Sequence, residues 1–263
     1  MKKTLAMVLI VFAFVPFLYI AVPLLHLLWQ TSLHGTGALT NNRDLLSAFG
    51  TSLFSAILTT LFALIFGLPA AFFLATKDFF GKRLVEVILL LPLVMPPIVG
   101  GIAQMDLYGP QTWIGGWFMT QGLNLTNSLA GVVLAQAFIT SPFLIFSAKV
   151  GFEEIPKELG ESTRILGGTW TDQFIYVTLP LARQAILTGA LLTFTRALGE
   201  FGATMIMAYH PYTVPVDIWV EFTSGGLEQI IPIASIIVVL ALFVATLSSF
   251  KWLNPRRWVK SKL

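Results

Sequence analysis

Residues 45–76 read LLSAFGTSLFSAILTTLFALIFGLPAAFFLAT, with no charged side chain anywhere in the run. A helix needs about 20 mostly apolar residues to cross a bilayer, and this stretch exceeds that. Four further charge-free runs lie around it: Thr4–Asn42, Val87–Met105, Leu107–Ala148 and Gln229–Phe250. The chain of 263 residues holds 16 Lys and Arg and 13 Asp and Glu, 11% of its positions, where soluble domains carry roughly 25%. Apolar residues make up 56%, and mean hydropathy is +0.82. A soluble enzyme of this size needs far more ionisable surface. The fold class is therefore all-α, a polytopic membrane protein.

Six transmembrane helices are predicted: Leu5–Trp29, Ser52–Ala75, Leu84–Met105, Leu129–Ala148, Gln184–Met207 and Ile230–Phe250. All are apolar around their whole circumference, unlike surface helices with a single apolar stripe. Lys2 and Lys3 ahead of an apolar run imitate a signal peptide. The run is about 25 residues, however, against the 7–15 of a signal core, and no small-x-small cleavage site follows. Lys and Arg accumulate on alternate sides of these spans. One side collects Lys2, Lys3, Lys77, Lys82, Arg83, Lys149, Lys157, Arg164, Arg183, Lys251, Arg256, Arg257, Lys260 and Lys262. Arg43 alone falls on the other side, and Arg196 lies inside the fifth helix. This places both termini in the cytoplasm of a multi-pass cell-membrane protein, with residues 1–263 forming a single transmembrane domain. The pI near 9.2 does not imply a nucleic-acid partner, because the basic residues sit at span ends and form no patch.

The loops divide sharply. The external segment Asp106–Ser128 is polar, Gly-rich and free of Lys and Arg, and a second external segment covers His210–Gly226. The largest cytoplasmic segment, about residues 151–182, lies between helices four and five and is rich in charge. Pro156 suits the first turn of a helix that ends at Gly167-Gly168. A second short helix starts at Thr169, with Asp172 three residues on in a capping-box arrangement. It runs to about Val177, and Pro180 is expected to break it before helix five. A plain surface hairpin would show the same local signals.

The spacing goes further than that. Glu161-Ser162-Thr163, three residues, Gly167, nine residues and then Val177-Thr178-Leu179-Pro180 resembles the signature cytoplasmic loop of ABC-importer permeases. The pattern there is Glu-Ala-Ala, three residues, Gly, nine residues, Ile-x-Leu-Pro, and the resemblance extends over about residues 50–250. It implies that Glu161, Ser162, Thr163, Gly167, Leu179 and Pro180 belong to a coupling helix that docks on a separate ATPase subunit. It also implies a second copy of the chain, two ATPase subunits that bind ATP and Mg, and an extracytoplasmic binding protein. The chain has no phosphate loop of its own, since Gly81-Lys82-Arg83 lacks the upstream Gly and the hydroxyl. No catalytic residue and no bound cofactor are expected in it.

Helix five carries the charges set deep in a span. Arg196 and Glu200 are four apart and share a helical face, on a row with Gln184, Thr188, Leu192 and Thr204. Beside it, Thr195, Gly199 and Ala203 form a small-residue row suited to close packing. Such a stripe belongs in a bundle interior or a water-filled path. The pair reads either as a structural ion pair or as part of that path. Gln136, Thr140 and Ser141 on helix four join Arg196, Glu200 and Thr204 as candidate path residues, with ordinary interhelical hydrogen bonds as the alternative. Thr195-Arg196-Ala197-Leu198-Gly199-Glu200-Phe201-Gly202-Ala203-Thr204 resembles the Arg-Ala-x-Gly-Glu-Phe/Tyr-Gly segment of oxyanion permeases. Its ending is similar to the molybdate/tungstate branch, with sulfate/thiosulfate permeases as the alternative. Tyr209-His210-Pro211-Tyr212 departs from the Asn-x-Pro-Gly of many bacterial members and is similar to archaeal-type sequences.

Other functions fit less well. A stand-alone ion-driven transporter would use Arg196 and Glu200 as a relay but leaves the ordered hairpin without a purpose. An intramembrane enzyme needs a His-Glu-x-x-His pair, a Gly-x-Ser-x-Gly elbow or an aspartate dyad, and the chain has none. With no cysteine, disulfides and thiolate metal sites are excluded. His26, His34 and His210 have no ligand spacing, so no metal is expected. Pro92, Pro96 and Pro97 are expected to kink helix three.

Overall fold

The computed structural model describes residues 2–34, 43–165 and 167–249; the chain beyond Ser249, including the last five basic residues counted above, lies outside it. The described residues form helices and connecting turns, with no strand among them. In chain order these are α1 (Lys2–His34), α2 (Arg43–Phe62), α3 (Leu68–Thr76), α4 (Lys82–Val94), α5 (Pro97–Tyr108), α6 (Trp113–Thr120) and α7 (Leu129–Glu153). There follow α8 (Lys157–Ile165), α9 (Trp170–Asp172), α10 (Leu179–Leu198), α11 (Gly202–Met207), α12 (Val214–Gly225) and α13 (Leu227–Ser249). Two compact units result, one holding α1 and α13 and the other spanning Leu46–Asp217. In the first, Ser235 Oγ donates to the Leu27 carbonyl at 3.4 Å, tying α13 to α1.

Among the described residues, three helices are long and apolar enough to cross a membrane: Leu45–Thr76, Leu129–Glu153 and Trp170–Leu198. A fourth crossing results if α4 and α5 count as one span. Shorter apolar stretches, Phe14–Gln30 and Ile230–Val239, fall where the first and sixth spans are expected.

Three expectations need correction. Helix three is not one kinked span: α4 and α5 meet at 113° across Met95-Pro96. Pro96 and Pro97 remove two successive donors, and Met95, as a residue before proline, takes an extended conformation (ψ 151°). Pro180 does not break the chain ahead of helix five, because a π turn at Gln173–Thr178 carries α9 into α10 as one helix, Trp170–Leu198. The same device precedes Pro69, where the π turn Ala63–Gly67 joins α2 to α3. A proline clashes with the carbonyl four residues back, and a widened turn relieves that clash. Lastly, helix five does not run on to Met207. It stops at Leu198, and α11 restarts after Gly199-Glu200-Phe201.

In the larger unit α7 is the central element, with α3, α4, α5, α10 and α11 all packed against it. Its closest neighbour is α10, and the approach follows a row of small residues. A Cβ added at Gly151 would fall on the Ala185 methyl group, and one at Gly189 would lie 2.8 Å from Ser147 Cβ and 2.9 Å from Leu144 Cα. The row Ala185, Gly189, Thr193, Ala197 therefore faces α7; of the expected row Thr195, Gly199, Ala203, only Ala203 packs closely, buried with Ala135 and Ile139 of α7, while Thr195 and Gly199 are exposed. The segment Asp106–Ser128, expected to be external, is more ordered than a loop. It contains α6, whose first turn is capped by Thr112, its Oγ1 accepting from the Gly115 N–H at 3.0 Å.

Candidate functional site

Deep in the larger unit, Gln136 joins three helices. Its Oε1 accepts from Thr59 Oγ1 of α2 at 2.9 Å. Its Nε2 donates to Ser55 Oγ of α2 at 3.2 Å and to the Ala197 carbonyl of α10 at 3.1 Å. Thr193 Oγ1 donates to the Thr140 carbonyl at 3.2 Å, a second link between α10 and α7. Gln136, Thr140, Ser55, Thr59 and Thr193 are all buried. Gln136 and Thr140 thus take part in hydrogen bonds between helices of the bundle. Ser141, half-buried, donates to the Ala137 carbonyl one turn back. Ser55 and Thr59 were not singled out above, although Ser52, Ser55 and Thr59 lie at helical spacing in an otherwise apolar run. That row was the available signal.

The break between α10 and α11 organises the charged pair. Arg196 lies in the last turn of α10, where a cation is favoured by the exposed carbonyls. Glu200 falls in the break, and its Oε1 accepts from the Ala203 N–H at 3.0 Å, satisfying a donor in the first turn of α11. Its Oε2 lies 3.1 Å from Arg196 Nη2, an ion pair without hydrogen-bond alignment. The two partners differ in exposure: the Glu200 side chain is 0% exposed and that of Arg196 37%. Thr188, Leu192 and Thr195 are exposed on α10, while Thr204 is buried and its Oγ1 has no hydrogen-bond partner among the described residues. The predicted polar stripe is thus split, with Arg196 open and Glu200 and Thr204 enclosed.

The hairpin between α7 and α10 is the second candidate. α8 carries Glu161, Ser162 and Thr163, and the chain reverses at Gly167, whose φ of +77° is left-handed. Ser162 is exposed, with its Oγ bonded to the Glu158 carbonyl at 2.8 Å. The capping box at Thr169 is complete: the Thr169 N–H donates to Asp172 Oδ2 at 2.8 Å and the Asp172 N–H donates to Thr169 Oγ1 at 3.2 Å. Leu179 and Pro180 open α10 directly after the π turn.

An aromatic cluster that the sequence did not announce anchors the root of this hairpin. Trp170 and Phe174 stack at 5.7 Å with 6° between their planes. Phe72 of α3 meets Trp170, Phe174 and Phe152 of α7 edge-on at 5.8, 5.0 and 5.2 Å. Near it, Lys149 bridges Glu86 of α4 at 3.3 Å and Glu153 at 2.9 Å. The hairpin is therefore joined to α3 as well as to α10, and through Phe72 to Phe152 of α7. Among the described residues, no group of three His, Asp or Glu side chains is placed to hold a metal ion.

Residues 63–259 match the family described as binding-protein-dependent transport system inner membrane component. The probable molybdenum ABC transporter permease protein of Haloferax volcanii is 40% identical over 90% of this chain and 87% of its own. The molybdate/tungstate transport system permease protein of Thermococcus kodakarensis is 35% identical over 81% of this chain and 80% of its own. A chain in the crystal structure of a bacterial alginate ABC transporter superposes with a TM-score of 0.73 at 15% identity, covering 95% of this chain and 94% of that one. That likeness speaks for the fold. This chain is a membrane transport subunit that belongs to the binding-protein-dependent transport system inner membrane component family.

Proposed function

We propose that the chain is the membrane-spanning permease of an ATP-driven importer of molybdate and tungstate, with six spans and both termini in the cytoplasm. Two copies enclose the path between them. Two ATPase subunits grip the Pro156–Val177 hairpins, and an extracytoplasmic binding protein delivers the anion. Closure of the ATPases around ATP and Mg draws the hairpins together and opens the path outward; hydrolysis resets it. The single observation that carries this reading is the joint between hairpin and span. A capped helix at Thr169 continues unbroken through the π turn to Leu198, so force on the hairpin reaches the middle of the bundle. The substrate follows from the molybdate and tungstate permeases to which the chain is similar.

The test is uptake of labelled molybdate into proteoliposomes holding the complete importer. Gly167→Ala forces a Cβ into the left-handed region at about 1–2 kcal/mol, although nothing lies within 4 Å of that Cβ. The loss falls on the turn and not on packing. Gly167→Ala and Glu161→Ala are each expected to abolish ATP-driven uptake while the protein remains in the membrane. Full activity in both overturns the coupling role. Uptake by the chain alone without ATP favours an ion-driven transporter. A partner binding protein that takes sulfate and rejects molybdate reassigns the substrate.

A further inference from the structure

We propose that Arg196 is the residue that contacts the oxyanion in transit, and that Glu200 is a positioning residue keeping this contact electrically neutral, so that the anion is passed on and not held. The inference rests on the oxyanion-transport reading and assigns roles within it. Its starting point is the one-sided burial of the pair: the Glu200 side chain is sealed in the bundle at 0% exposure, while the Arg196 side chain keeps 37% of its surface open. The contact at 3.1 Å lacks hydrogen-bond alignment, so the donors of the guanidinium fork are not committed to Glu200. A guanidinium presents planar paired N–H groups that match the oxygen edge of an oxyanion.

The break in the helix fixes the carboxylate. Because α10 ends at Leu198 and α11 begins at Gly202, Glu200 holds the first turn of α11 through the Ala203 N–H while facing Arg196. It cannot swing out with the arginine without unmaking that turn. Electrostatics then sets the strength of the contact. Inside a water-poor path an uncompensated cation attracts a dianion far more strongly than in water. A fixed carboxylate beside it repels the same dianion by a comparable amount. What remains is the directed hydrogen bonding of the N–H groups, which orients without trapping. A conducting site has to bind weakly enough to release.

The complete importer in proteoliposomes tests this, with molybdate as the probe. Glu200→Gln keeps an oxygen for the Ala203 N–H and removes only the charge. Its uptake is expected to fall at least tenfold, and the molybdate concentration inside the vesicles that halves uptake is expected to drop at least tenfold as well. In the double variant Arg196→Gln with Glu200→Gln, that inhibitory concentration returns to the wild-type value while uptake stays low. A purely structural ion pair lowers thermal stability and leaves the inhibitory concentration unchanged in every variant; that result overturns the proposal. If Glu200→Gln does not assemble, Arg196→Lys carries the test, since it keeps the charge and loses the planar fork. Its KM for release-limited uptake is expected to shift at least threefold, and wild-type behaviour overturns the assignment. A wild-type importer that hydrolyses ATP but takes up no molybdate defeats the oxyanion-transport reading itself, so the two failures are distinguishable.

Discussion

Gln136 shows what one polar side chain does in an apolar bundle. Its amide spends three hydrogen bonds on two neighbouring helices, and each partner is as buried as it is. Gln136→Leu keeps the volume close and leaves the Ala197 carbonyl and the Ser55 hydroxyl without this partner. Interhelical hydrogen bonds in membranes average about 0.6 kcal/mol and reach about 1.7, so a loss of about 1–2 kcal/mol is expected. Thermal unfolding of the purified chain in detergent measures it. A Tm equal to wild type means that the three contacts do not hold the helices together. The sequence marks Gln136, Thr140, Arg196 and Glu200 as out of place in apolar runs, and the Arg196–Glu200 pairing follows from their spacing of four. The partners of Gln136 were not legible, because they lie 77 and 81 residues earlier in the chain and nothing local encodes that meeting. The hidden role of Glu200 was not legible either: it depends on a helix break that spacing by fours assumes away.

Among the helices, the α7–α10 seam and the aromatic joint at the hairpin make opposite demands on their residues. The seam requires the absence of side chain. Gly189→Leu places atoms against the backbone of Leu144, and overpacking of that kind costs about 3 kcal/mol, the upper end of the usual range. Gly50 in α2 has nothing within 4 Å, so Gly50→Ala is expected to stabilise the chain by about 0.5–1 kcal/mol through helix propensity alone. Unfolding of the two variants side by side checks the sign of each. The joint, by contrast, requires rings. Phe72→Leu removes three edge-on contacts, each aromatic pair being worth about 0.5–1.5 kcal/mol beyond its area. In the assembled importer it is expected to leave ATP hydrolysis running while uptake falls, since α3 no longer follows the hairpin. Unchanged coupling shows that α10 alone transmits the motion. Sequence periodicity located the hairpin, its glycine turn and its capping box, because those signals are local. It did not reveal the π turns before Pro69 and Pro180: a proline marks where a helix is under stress, and bending, breaking and widening each relieve it.

For the molecule as a whole, charge decides orientation and packing decides shape. Pro96 and Pro97 fix where helix three is interrupted, but the 113° bend is set by contacts far along the chain. A Cβ at Gly101 would meet the Ala203 carbonyl at 2.8 Å, and one at Gly202 would meet the Ile98 N and Pro97 Cβ at 3.1 Å. α5 thus lies directly against α11, an arrangement that composition does not specify. The side on which each loop emerges follows from the positive-inside bias and is open to direct test, because the chain contains no cysteine and any introduced one reports alone. Ser162 in α8 and Thr120 at the end of α6 are exposed positions that the charge bias assigns to opposite sides. In intact cells, a membrane-impermeant maleimide is expected to label Thr120→Cys and to spare Ser162→Cys until the membrane is opened. A third probe, Asp78→Cys in the turn after α3, separates the span count from the orientation: with the bent pair α4–α5 crossing once, it labels with Ser162→Cys. Labelling of Asp78→Cys together with Thr120→Cys removes the α4–α5 crossing from the count, and labelling of Ser162→Cys from outside reverses the molecule and takes the hairpin out of reach of any cytoplasmic ATPase.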